Sequence, residues 1–130
     1  MATLNVSLTL TSTDISSDNL SMTVSDALTV VSPTQSNSLV TATATVGDNI
    51  ILPNLDSPRY VYLKHTGLNS AGSSSGTDKV HVETADGTTI MELKTGEFAF
   101  FPYYKEGAGL LQLEASANTV QVEYAFFTRG

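Results

Sequence analysis

Two histidines, His65 and His81, and thirteen acidic residues are the side chains of this chain best suited to moving a proton or holding a metal. Both imidazoles fall in alternating, strand-like runs. His65 shares a face with Val61 and Leu63, while His81, between Val80 and Val82, points away from both. A metal centre needs a third ligand at defined spacing, and neither H-x-H nor H-E-x-x-H occurs. Polar residues at the surface or at a sheet edge are expected, and no metal. Glu83, Glu92, Glu97, Glu114 and Glu123 fall mostly at outward strand positions. Two carboxylates at the right separation could hydrolyse a glycosidic bond, but the alternation assigns these acids to a solvated or partner-facing sheet surface. Asp14, Asp18, Asp48 and Asp86 lie in separate turns and match no calcium loop.

Nucleophiles fare no better. Serine is plentiful, but G-x-S-x-G is absent and no base is placed to activate one. The Gly/Ser stretch around Gly72 and Gly76 lacks the lysine and strand-to-helix context of a phosphate loop. There is no cysteine, hence no thiolate, disulfide or thiolate zinc site. The expectation is a non-enzymatic protein without cofactors.

The densest cluster of recognition-type side chains is aromatic. Phe98 and Phe100 share a strand face and are assigned to the core. Phe101 points oppositely and is a candidate for cover by another subunit. Tyr103 and Tyr104 follow on a loop, where aromatics anchor a partner, stack on a sugar, or cap the end of a fold. Phe127 faces away from Val122 and Tyr124 and points to oligomerisation. Phe101, Tyr103, Tyr104 and Phe127 are therefore the candidate partner contacts.

The elements that must position these residues are short strands with period-two alternation. They are Leu4 to Leu10, Leu20 to Val30, Val40 to Val46, Ile50 to Leu52, Tyr60 to Thr66, Lys79 to Glu83, Thr89 to Leu93, Glu97 to Phe101, Leu110 to Glu114 and Thr119 to Tyr124. Asp26 interrupts the second, predicting a bulge or turn near Ser25–Ala27, with a short helix from Ser25 as the competing reading. Ser32–Asn37, with Pro33, reads as a loop. Gly47–Asn49 reads as a turn, 54–59 as a crossing between halves, and 67–78 as a mobile Gly/Ser-rich loop. Asp86–Gly87 between two alternating runs is the strongest hairpin signal, and Thr95–Gly96 marks a second tight turn. Nine or ten strands without a helix exceed one open sheet of this size. An all-β antiparallel sandwich is predicted, jelly-roll-like, with an immunoglobulin-like arrangement second.

At 130 residues the chain suits one β-sandwich domain, 1–130, with a core large enough to need no staples. A net charge of −7, with six scattered cations, argues against nucleic acid and anionic membranes as partners. Only 15% of residues are charged, and Ser and Thr fill the deficit, as suits a surface that packs on other subunits. The first residues lack the basic and apolar regions of a signal peptide, and no run approaches a membrane span. Asn5-Val6-Ser7 and Asn19-Leu20-Ser21 match the glycosylation pattern by chance.

The run from Tyr60-Val61-Tyr62-Leu63-Lys64 through Val80-His81-Val82, then Ile90 to Pro102 with its L-K-x-G-E-F passage (Leu93 to Phe98), Leu111 to Ala115 and Val120 to Ala125 resembles small β-sandwich virion proteins of tailed bacteriophages. The likeness covers roughly the second half of the chain and carries no catalytic residue. It implies a structural virion protein assembled in the host cytoplasm. A head decoration or cement protein fits first, a tail, baseplate or fibre component second. A glycan-binding module using Tyr103 and Tyr104 is a further alternative. The implied partners are copies of itself, commonly as a homotrimer, and the major capsid protein, or other tail proteins in the second case.

Overall fold

The computed structural model describes residues 1–47, 49–52, 58–107 and 109–130, with the backbone alone for 32–37, 50 and 52. Among them are nine strands and no helix: β1 (Ala2–Ser12), β2 (Leu20–Thr43), β3 (Asn49–Leu52), β4 (Arg59–His65), β5 (Val80–Thr84), β6 (Thr89–Leu93), β7 (Phe98–Tyr103), β8 (Leu111–Ala115) and β9 (Thr119–Arg129). The described strand pairings are antiparallel. The chain divides into two compact units, Met1–Thr34 with Gly130, and Gln35–Arg129.

The first unit is a two-stranded ribbon. β1 and the start of β2 pair without a break from Ala2↔Val30 to Ser12↔Leu20. The bulge or turn predicted near Asp26, and the helix from Ser25, do not form. Asp26 stays in register opposite Val6, and its carboxylate accepts the Ala27 amide at 2.8 Å, so the acid is satisfied without leaving the ladder. Nor does a loop divide the strand at 32–37: β2 continues to Thr43. Period two then sorts the ribbon's faces. One carries Leu4, Leu8 and Leu10 opposite Leu28, Val24 and Met22; the other is almost wholly Thr, Ser and Asn.

The second unit is a sandwich. One sheet orders the rest of β2 with β9, β4 and β7, and the other runs β3-β8-β5-β6. The inner faces alternate as predicted. Val61 and Leu63 of β4 and Val120 and Val122 of β9 meet Val80 and Val82 of β5 and Leu111 and Leu113 of β8. Each such side chain, taken wholly out of water, contributes about 1.5–3 kcal/mol. The expected Asp86–Gly87 hairpin joins β5 to β6, with Gly87 at φ 78 and its amide bonded to the Thr84 carbonyl at 2.9 Å. The Thr95–Gly96 turn is also present, but it carries the chain from one sheet to the other. The crossing expected at 54–59 and the turn at Asp48 lie outside the described residues, apart from their flanks.

Two further expectations are corrected. The Gly/Ser-rich segment 67–78 is not a free loop. Asn69 accepts the amides of Ala71 and Ser73 through Oδ1, Leu68 bridges to Ser74, and the Gln121 amide of β9 bonds the Leu68 carbonyl at 2.8 Å. Short polar side chains satisfy the backbone where no ladder can. Phe98 and Phe100 are not core. In the ladder Val61 pairs with Phe101 and Leu63 with Ala99, so β7 turns Ala99, Phe101 and Tyr103 inward and Phe98 and Phe100 outward.

Candidate interaction surfaces

His65 ends β4 on its inward face and is fully buried, not a surface residue. Nδ1 accepts the Gly67 amide at 3.0 Å, which leaves Nε2 to donate to the Asp78 carbonyl at 2.9 Å. Its own amide and carbonyl bond Glu97 and Gly96. The imidazole therefore ties the two ends of the 67–78 loop together, while the His65 main chain joins them to the turn between β6 and β7. Gly67 is required there: at φ +79, an added Cβ would lie 3.0 Å from Thr95 Cγ2. With both nitrogens committed, His65 has no lone pair for a metal. Among the described residues no group of three potential metal ligands comes together.

The outer face of β3-β8-β5-β6 gathers the acids. Across three strands Glu92, His81 and Glu114 stand in one row, with Glu83 opposite Gln112 in the next. Lys79 reaches Glu92 at 3.0 Å and His81 reaches it at 3.3 Å, and the Lys79 bond chiefly holds the Glu92 carboxyl below its usual range. Glu83 is buried, and Thr89 and Gln112 bond its two oxygens at 3.4 and 3.3 Å. Burial, followed by the neighbouring Glu83 carboxylate, pushes the Glu114 carboxyl up. Two neighbouring carboxyls are the raw material of acid–base chemistry; of this pair Glu83 is only 3% exposed.

The outer face of β9-β4-β7 is aromatic. Tyr60 and Tyr62 alternate outward from β4, flanked by Phe98 and Phe100 of β7 and by Ala125 and Phe127 of β9. Tyr60 stacks on Phe100 with centroids 6.0 Å apart, and the Arg129 guanidinium lies 5.3 Å above the Tyr60 ring. The Tyr62 hydroxyl donates to Glu123 Oε1 at 3.0 Å. Burial, and then that carboxylate, push the Tyr62 hydroxyl up. Beside this pair a groove of about 560 Å³ is lined by Ser38, Leu39, Tyr62, Glu123, Ala125 and Phe127.

The four sequence-predicted contacts separate. Phe101 and Tyr103 pack on the core, ring edge to ring face at 6.3 Å, and the Tyr103 hydroxyl is buried without a hydrogen-bond partner. Tyr104 is 59% exposed, and Phe127 lines the groove. Only Phe127 joins a larger surface, whose other members, Tyr60, Tyr62, Phe98 and Phe100, parity could have supplied: if Val61 and Leu63 face in, Tyr60 and Tyr62 face out.

The ribbon of the first unit offers a second surface. Leu8, Leu10, Met22 and Val24 share its apolar face and are 42%, 45%, 53% and 64% exposed. Comparison with protein-family models, with curated protein sequences and with solved structures finds no match.

Proposed function

We propose that this chain is a structural protein of a tailed-phage particle, a head decoration protein that assembles as a trimer and cements the capsid. The single observation that carries the reading is the ribbon of β1 and β2. Two strands alone are marginal in water, and a stable ribbon needs further strands or a surface against its apolar face. Leu8, Leu10, Met22 and Val24 sit together on that face with more than a third of each exposed. A neighbouring chain that covers them completes the fold, which is the energetics of an assembly protein. The sandwich is compatible with this role. We read the order β2-β9-β4-β7 over β3-β8-β5-β6 as a jelly roll, an architecture that serves viral capsids among other uses.

Addition of the purified chain to undecorated capsids tests the proposal. The chain is expected to bind, and the double variant Leu10→Asp, Met22→Asp to remain folded but fail to bind. Absence of the chain from purified virions by mass spectrometry would remove the reading. Immunogold label on the tail instead of the head would reassign the protein to the tail.

A further inference from the structure

We propose that the groove beside Tyr62 is a receptor for a cationic side chain, lysine or arginine, presented by a partner chain. The inference deepens the assembly reading above, because it gives the chemistry of the neighbour's contact.

Four observations converge. The groove combines the aromatic side chains of Tyr62 and Phe127 with the exposed Glu123 carboxylate, a combination that attracts a cation by ring face and by charge. Among the described residues no cation forms an ion pair with Glu123; its recorded bond is from the Tyr62 hydroxyl to Oε1. Lys64 stands opposite Glu123 in the β4–β9 ladder but does not line the groove. The same aromatic row already seats a guanidinium one step along β4, where Arg129 lies over Tyr60. Finally, the chain carries thirteen acidic against six basic residues, so a partner's complementary surface is basic. The Tyr62 hydroxyl, donating to Oε1 at 3.0 Å, fixes Glu123 at the rim.

The test uses the full chain in solution. A blocked Gly-Arg-Gly peptide and its neutral citrulline isostere are titrated while amide and side-chain NMR signals are followed. Saturable shifts confined to Tyr62, Glu123, Ala125 and Phe127 are expected with the arginine peptide, with at least tenfold weaker binding of the citrulline peptide. Glu123→Gln and Tyr62→Leu should each weaken arginine binding severalfold, whereas Tyr62→Phe, which keeps the ring, should retain most of it. Equal affinity for both peptides, shifts centred elsewhere, or unchanged binding by Glu123→Gln overturns the proposal. So does saturable binding of a methyl glycoside at these signals in place of the peptide. Capsid addition by Glu123→Gln separates the two readings. Arginine binding in solution without any contribution to capsid addition would leave the groove standing and remove its place in the assembly.

Discussion

The Gly67 amide donates to Nδ1 of His65 at 3.0 Å, so the side chain closing strand β4 fixes the first residue of the loop that follows it. The other ring nitrogen holds the Asp78 carbonyl at the loop's far end. A twelve-residue excursion, 67–78, is thus bracketed by one buried imidazole.

Replacing His65 with alanine strands a partly buried amide and a partly buried carbonyl and leaves a cavity. The expected loss is about 2–4 kcal/mol, read as a shift in denaturant midpoint. Hydrogen exchange at Gly67 should accelerate more than at Val82, whose cover comes from the opposite sheet. Equal acceleration at both sites would show the effect to be global packing alone.

Leu113 is fully buried between the sheets, and Leu113→Ala should cost about 2–5 kcal/mol by the same equilibrium unfolding measurement. A cost below that of an exposed-site substitution such as Leu39→Ala would place the core elsewhere.

Glu114 predicts an unusual sign. Its carboxyl lies above the ordinary value of 4.5, pushed up by burial and by Glu83, with His81 opposing. The native state therefore holds this proton more tightly than the unfolded chain. The resulting stability is full below the ordinary value and is lost as pH rises through the raised one. Glu114→Gln, which mimics the protonated acid, should be more stable than the parent at about pH 8, with the difference shrinking toward about pH 4. Because His81 also faces Glu92 and Glu114, the parent-minus-variant difference is the quantity to follow. A difference independent of pH would show that the Glu114 carboxyl is not raised in the native state.

Asp86 predicts the opposite. Hydrogen bonds from Thr84 and Thr88 lower its carboxyl from 3.8 to about 2. A depressed carboxyl contributes stability above its unfolded value, which is lost as pH falls through the folded one. Acid titration by NMR should place its midpoint near 2, and Asp86→Asn should blunt the loss of stability between those two values. A midpoint at the ordinary aspartate value would mean that the turn bonds do not form in solution.

How much of this was legible depended on how local the determining physics is. The Asp86–Gly87 turn could be read directly, because a left-handed glycine and an aspartate that bonds neighbouring backbone act within five residues. Phe127 could be placed outward by parity alone. Phe98 to Phe101 could not, because both parities carry a phenyl ring and only the pairing of Phe101 with Val61 decides between them. The burial of His65 was equally hidden, since its cover is a loop whose folding rests on Asn69 and on contacts with β9 some fifty residues on. Asp26 and Pro33 read as breakers of a strand that passes through both positions. Tertiary pairing overrode that local signal, and with it went the length of the ribbon and its open apolar face.

That face has a further consequence, set by the charges it lacks. Along the ribbon's apolar side Asp26 is the one acidic or basic residue, whereas the Tyr62 groove is built around a carboxylate. Raising ionic strength screens the second kind of contact and leaves the first intact or stronger. A partner held at both surfaces would then loosen in stages as salt is added, its contact with the carboxylate giving way while the ribbon still grips.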